Sequence, residues 1–216
     1  MTKTMVELFS GSGIMSQAFR EFGYQTFTYD INQSLNPDFS IDIMDLTPND
    51  LANTDVIWAS PDCRKFSFAS GANNEFRKNN KSKLSKDAEA AIALVKHTIE
   101  LCQTANQYWF IENPAHGALS QMPFMQELPM LTIAYCNYDY PYQKLTNVWG
   151  NFPPSWNPKG HCSHNGHPNI KEYGNAQLRA EIPIELCREI ACMCNLDNGL
   201  QIPTLLDYWR VDNAAK

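Results

Sequence analysis

The sequence predicts an α/β protein built as a Rossmann-like, mostly parallel sheet with helices on both faces. Three observations carry that expectation. Residues Met5 to Phe9 form a short apolar run, and Ser10-Gly11-Ser12-Gly13 then turns into a segment whose Met15, Phe19 and Phe22 recur at helical spacing. A second strand, Gln25 to Tyr29, ends at Asp30, 19 positions after Gly11. Strand, glycine turn, helix, strand and acid in that order make a mononucleotide-binding unit, in which glycines admit a ligand to the backbone and the acid bonds ribose hydroxyls. Further strands then alternate with helical patterns.

The elements follow in order. Gly23 ends the first helix by accepting the left-handed conformation at its C-terminus. Ile41-Asp42-Ile43 is a short strand end or turn that brings Asp42 to the same sheet edge. Asp55 to Trp58 is a buried strand that delivers Ser60-Pro61-Asp62-Cys63. Ser85 caps a helix from Lys86 to about Ala105, with Ile92, Val95, Ile99 and Cys102 inward. Strand Tyr108 to Ile111 ends in Glu112-Asn113-Pro114, where a carboxylate is expected to be partly desolvated. Leu131 to Asn137 is another strand, paired with Asn147 to Trp149. A final helix starts near Pro183 and runs to about Asn195, with Leu186, Cys187, Ile190 and Cys194 inward. The tail from Gly199 to Lys216 is amphipathic.

A chain of 216 residues, 44% of them hydrophobic, is one domain or one domain with a small appendage. The division expected is a core over 1–149, a short loop region over 150–179, and a returning helix with a tail over 180–216. No apolar run reaches the roughly 18 residues of a membrane span, and the N-terminus carries no secretory pattern. Seven scattered cysteines point to reduced thiols and a cytoplasmic setting.

The formal charge of −6 argues against a generic nucleic-acid coat. Its distribution is uneven. Between Arg64 and Lys86 lie seven basic residues and one acid, so this segment is +6 on a body of −12. A basic loop beside Cys63 suits a polyanion. Two cations directly after Cys63 are expected to lower the thiol pKa and favour the nucleophilic thiolate. Residues 161–167 hold four potential metal ligands, yet lack a paired Cys-x2-Cys spacing, and zinc takes ligands from two separated segments. The run is read as a polar surface loop, with no metal expected.

In this order the motifs resemble those of the cytosine-5 methyltransferase family, particularly compact phage and bacterial DNA-modifying members. Phe9-Ser10-Gly11-Ser12-Gly13 resembles the family's S-adenosylmethionine-binding motif, and Asp30 and Asp42 its ribose- and adenine-side acids. Ser60-Pro61-Asp62-Cys63 resembles the Pro-Pro-Cys nucleophile motif, and Glu112-Asn113 the Glu-Asn motif. Tyr140-Pro141-Tyr142-Gln143-Lys144 resembles the Gln-containing DNA-contact motif, and Ile182-Pro183-Ile184-Glu185-Leu186 the closing helix. The resemblance spans about residues 5 to 195.

It implies transfer of a methyl group from S-adenosylmethionine to carbon 5 of a cytosine flipped from double-stranded DNA, through a covalent Cys63 adduct, by a monomer in the cytoplasm of a bacterial cell, encoded by the bacterium or by a phage. Cys63, Glu112 and Asn113 would be catalytic. Phe9, Gly11, Ser12, Gly13, Asp30, Ile31, Asp42, Ile43, Ser60 and Pro61 would bind S-adenosylmethionine. Arg64, Lys65, Lys78, Lys81, Lys83, Gln143 and Lys144 would meet nucleic acid. Alternatives are the same fold acting on RNA, transfer of another group, or a non-catalytic binding relic.

Three departures from the family pattern stand out. Asp62 replaces the second proline and sets a carboxylate beside the thiol. Leu145 and Asn147 stand where two arginines are common. Only about thirty residues separate Trp149 from the closing helix, so the chain is expected to read a short site or to read loosely.

Overall fold

Thr4–Leu8 (β1) sits at the middle of the sheet, parallel to Gln25–Asp30 (β2) on one side and Val56–Ala59 (β4) on the other. Its side chains from Met5 to Leu8 are buried on both faces, as the unbroken Met-Val-Glu-Leu run requires. The computed structural model describes residues 2–67, 76, 84–162, 164, 166–168 and 180–196. Seven strands among these form one sheet in the order β3-β2-β1-β4-β5-β7-β6. The remaining strands are Phe39–Ser40 (β3), Tyr108–Pro114 (β5), Met130–Ala134 (β6) and Leu145–Asn151 (β7). The first five in that order are parallel, and β7 runs against both β5 and β6.

Strand order reverses between β1 and β4. Open sheets of this kind leave their ligand crevice beyond the carboxyl ends of such a pair. Two core clusters line the two faces. On one, Met5, Val56, Trp58 and Phe110 pack against helices Ile14–Glu21 (α1) and Ile184–Leu196 (α4), through Met15, Phe19, Leu186, Cys187 and Ile190. On the other, Val6, Leu8, Ile57 and Ile111 meet Leu101 and Cys102 of helix Lys86–Cys102 (α2). A short helix, Pro123–Gln126 (α3), lies between β5 and β6. Among the described residues no helix is long and apolar enough to cross a membrane.

Local chemistry explains the boundaries. Gly23, with φ of 81°, closes α1, and its amide donates to the Arg20 carbonyl. Ser85 Oγ accepts the Ala88 amide at 3.2 Å and starts α2. Gly150 pairs with Phe110 across β5 and β7, where any Cβ would collide with the Trp109 carbonyl.

Two expectations are corrected. β5 does not stop at Ile111, because β7 continues its ladder as far as Pro114 opposite Thr146. Glu112 and Asn113 are therefore sheet residues with opposite orientations. β6 ends at Ala134 and not at Asn137. The Tyr135 amide donates to the Lys144 carbonyl, and Tyr135–Tyr138 winds into a 3-10 turn closed by Asp139 at φ of 57°. That turn takes Tyr135 and Cys136 out of the sheet.

Candidate active site

At the end of β1 the backbone turns sharply. Phe9, Gly11 and Gly13 all have left-handed φ (57°, 53° and 69°), a conformation that costs a non-glycine residue such as Phe9 local strain. The loop is tied to the neighbouring strand end. The Ser10 amide donates to the Tyr29 carbonyl at 3.0 Å, and the Gly11 amide donates to Asp30 Oδ2 at 3.0 Å. Asp30 Oδ1 accepts the Asn32 amide at 2.8 Å, and each oxygen retains a lone pair for a ligand. Asp42 Oδ1 accepts the Met44 amide and caps a 3-10 turn over Ile43–Asp45. A Cβ at Gly11 would meet nothing within 4 Å, so the loop backbone is open to approach.

These features fit a nucleoside with a charged tail: an open glycine backbone, two carboxylates and apolar cover. The cover is Ile31, 69% exposed beside Asp30, and Met44, 47% exposed beside Asp42. Ser12 is exposed at the loop tip. The Ile43 side chain is buried in the core, so that position has its main chain to offer. Beneath the loop lies a residue that motif reading missed. Glu7 is buried on β1, and its Oε2 accepts the Ser16 amide at 2.8 Å, capping α1, whose Gly13 cap has no side chain. Burial pushes its carboxyl up to about 7, against the Ser16 hydrogen bond.

β4 carries the turn that holds Cys63 to the same edge. Ser60 Oγ accepts the Trp58 indole N–H at 2.9 Å, and Pro61 is buried. Asp62 does by hydrogen bonding part of what a proline ring would do. Its Oδ1 accepts the Arg64 amide at 2.9 Å, and the Cys63 carbonyl accepts the Phe66 and Ser67 amides. Phe66 is buried in a cluster with Val95, Leu119, Met125 and Trp149, and its carbonyl accepts the Ala118 amide.

The expectation of a thiol activated by Arg64 and Lys65 is corrected. Arg64 turns to Asp62 at 2.6 Å, and Lys65 turns to Asp87 at 3.1 Å. Burial alone would raise the Asp62 carboxyl, but hydrogen bonds and charge from Arg64 hold it below the usual range. The Cys63 thiol is pushed up, first by burial and then by the charge of Glu112, with Lys144 opposing and Asp62 adding to it. The cation that reaches this thiol comes from a distant segment, not from its neighbours in sequence.

Glu112, 6% exposed, shares a face with Phe110 and Trp58 and approaches the turn from β5. Its Oε1 accepts the Tyr135 hydroxyl at 3.0 Å and lies 3.7 Å from Lys144 Nζ. That Nζ sits 4.6 Å from the centroid of the Tyr135 ring. A buried carboxylate is thus held between a phenol and an ammonium. Asn113 points the other way, and its Nδ2 donates to the Pro61 carbonyl at 2.9 Å, binding the ends of β4 and β5 together. Tyr135 was missed because it was read as one residue within a strand.

Gln143 is exposed and adjoins Lys144 in sequence. Asn147 is turned away from it, accepting the Thr132 hydroxyl at 2.8 Å across β6 and β7. Lys78, Lys81 and Lys83 lie outside the described residues. The polar run after Gly160 has a neighbour that its own spacing did not reveal. Cys136, from the turn after β6, lies with Cys162, His164 and His167 so that the four ligand atoms are within 4.8 Å of one another.

No protein-family model matches the chain. It is 30% identical over 155 residues to a Frog virus 3 (isolate Goorha) protein named probable DNA (cytosine-5)-methyltransferase, covering 67% of this chain and 69% of that one. Among solved structures, the Entamoeba histolytica methyltransferase EhMeth shares the fold at a TM-score of 0.50 and 12% identity, over 76% of this chain and 58% of that one. The S. pombe Dnmt2 methyltransferase gives a TM-score of 0.47 and 18% identity over 71% of this chain and 53% of that one. The chain spans little more than half the length of these two structures.

Proposed function

The chain belongs to the cytosine-5 methyltransferase family, and from that premise we propose that it methylates carbon 5 of cytosine in DNA. The observation that carries this reading is the meeting of Cys63, Glu112 and Lys144 at the carboxyl ends of β4 and β5, beside the Gly11–Asp30 cradle.

The residues at the β1 and β2 ends fit S-adenosylmethionine. Asp30 would accept the ribose hydroxyls and Asp42 would lie on the adenine side, with Ile31 and Met44 as apolar cover. Phe9, Gly11, Ser12 and Gly13 would lie along the amino-acid tail, and Ser60 and Pro61 would bound the cleft toward the thiol. When bound, this cofactor supplies an electrophilic methyl group.

Carbon 5 of cytosine is a weak nucleophile until a thiolate adds to carbon 6. Forming the sulfur–carbon bond places an electron pair on carbon 5, which would take the methyl group as the sulfonium sulfur keeps the bonding pair and leaves as a neutral thioether. Loss of the carbon-5 proton to a base such as water returns an electron pair to the ring and expels Cys63. Glu112 would bind the N3 and amino edge of the base and share a proton there as negative charge grows.

The resting electrostatics link these steps. Burial first, and then the charge of Glu112, push the Cys63 thiol up, while Lys144 opposes them. The proton that Cys63 gives up would pass by way of Glu112 to N3, so that this repulsion falls as the sulfur–carbon bond forms and Lys144 acts on the thiolate with less opposition. The nucleophile is thereby activated by arrival of the base. A target inside a duplex must be flipped out, at a cost of a few kcal/mol. Gln143 and Lys144, with Arg64, Lys65, Lys78, Lys81 and Lys83 from the segment after Cys63, are the groups proposed to meet the strand.

The test offers methyl-labelled S-adenosylmethionine with duplex DNA and with RNA in parallel, followed by nucleoside analysis. Label in 5-methyldeoxycytidine supports the reading. Label confined to RNA would move the substrate class, and none in either would favour a binding relic.

A further inference from the structure

We propose that Cys136, Cys162, His164 and His167 form a structural zinc site that fastens the loop after β7 to the turn after β6. Two thiols and two imidazoles are the ligand set of a closed tetrahedral zinc centre, and softer ligands of this kind disfavour magnesium and calcium. Zinc–sulfur bonds of about 2.3 Å and zinc–nitrogen bonds of about 2.0 Å place neighbouring ligand atoms roughly 3.3–3.8 Å apart. Here all four ligand atoms lie within 4.8 Å of one another, a spread that a tetrahedron closes with small side-chain rotations. Cys162 Sγ is 3.2 Å from His164 Nδ1 and 2.9 Å from His167 Nε2. The two imidazoles are crossed at 73° with centroids 5.8 Å apart, splayed as two ligands of one ion are.

The surroundings suit a metal thiolate. The His164 amide donates to Cys162 Sγ at 3.2 Å, a bond that stabilises negative sulfur. Gly166, at φ of 82°, lies between the two histidines, and that conformation favours glycine. Hydrogen bonds already bring the two segments together. Asn137 Nδ2 donates to the Gly160 carbonyl at 2.9 Å, the Ala134 amide donates to the same oxygen, and the Lys159 amide donates to Tyr138 Oη at 2.8 Å. The ion would complete a junction for which the backbone is already arranged.

Its position gives it a purpose. Cys136 directly follows Tyr135, whose hydroxyl holds Glu112, so an ion bound there would brace the turn from which Tyr135 reaches the site. Phe152 and Trp156 already pack the start of the segment after β7 into the core, and an ion would fasten the polar run beyond Gly160.

The test is metal analysis of the full chain purified under reducing conditions from zinc-supplied cells, with cobalt(II) substitution. The expected results are about one zinc per chain and a cobalt spectrum with tetrahedral d–d bands and sulfur-to-cobalt charge transfer. Cys136→Ser and Cys162→Ser should each lose most of the zinc, while Cys192→Ser on α4 should keep it. Chelation should lower the melting temperature of the parent chain but not of Cys162→Ser. A folded parent chain without zinc, or zinc retained in both Cys136→Ser and Cys162→Ser, overturns the proposal. If a serine variant fails to fold, the cobalt spectrum of the parent decides, since absence of thiolate charge transfer excludes this ligand set. None of these readouts depends on methyl transfer.

Discussion

The Tyr135 hydroxyl donates a 3.0 Å hydrogen bond to Glu112 Oε1, across 23 residues of chain and inside the protein. The same oxygen lies 3.7 Å from Lys144 Nζ. The carboxylate is therefore fixed before any substrate arrives, by a phenol on the turn after β6 and an ammonium just before β7. A hydrogen bond to a charged group contributes about 1.5–3 kcal/mol, and catalytic geometry is sensitive to small displacements.

Tyr135→Phe keeps the ring and removes this donor. The turnover number should fall by roughly 10- to 100-fold, the rate equivalent of that energy, with the circular dichroism spectrum unchanged. Single-turnover methyl transfer measures it. A change within twofold would mean that Glu112 holds its place without Tyr135.

The Cys63 thiol is raised by burial and then by Glu112, while Lys144 lowers it. Substitutions at these two partners should move it in opposite directions. Glu112→Gln should let the thiol titrate at lower pH and abolish methylation. Lys144→Met should shift its titration to higher pH and move the alkaline rise of the pH–rate profile with it. Rates of alkylation at Cys63 against pH read both shifts, and shifts of the same sign would refute the arrangement.

Asn113 donates to the Pro61 carbonyl at 2.9 Å in a buried position. Asn113→Ala leaves that carbonyl unpaired, which costs about 1–3 kcal/mol. Urea denaturation should show a loss of that size, and Cys63 should be alkylated faster as its turn loosens. Unchanged stability would show that the bond does not join the strand ends.

Glu7 makes stability depend on pH. Its folded carboxyl titrates at about 7, above the ordinary value of 4.5. Between those values the folded state holds a proton that the unfolded state has released, so stability falls as pH rises through that window. The loss, relative to Glu7→Gln, is on the order of 3 kcal/mol between pH 5 and 8. Glutamine still accepts the Ser16 amide and does not ionise. Parallel stability profiles for the two chains would contradict this account.

Local chemistry made much of the architecture legible. The Gly11–Asp30 spacing, the Ser85 cap, the Gly23 stop and the inward faces of α1, α2 and α4 follow from periodicity and turn residues, and the structure has them. Cys63 and Glu112 could be named because each stands at the end of an apolar strand. What the sequence hid depends on side-chain contacts between distant segments. Nothing near Arg64 announces that Asp62 takes its charge, or that Lys144 supplies the cation at Cys63 in its stead. Tyr135 and Cys136 looked like ordinary strand residues because the 3-10 turn that frees them is set by pairing with the Lys144 segment. Glu7 looked like one polar residue in a buried strand, and its role appears only once α1 stands over it.

The measurement that bears most directly on the central claim is trapping with a DNA duplex carrying 5-fluorocytosine, in the presence of S-adenosylmethionine. Fluorine at carbon 5 blocks the proton loss that releases the enzyme, so the adduct persists. A DNA-linked peptide mapped by mass spectrometry to Cys63, and absent from Cys63→Ser, is the predicted result. A cofactor-bound chain that methylates unmodified duplex yet forms no adduct, or an adduct on another residue, would contradict it.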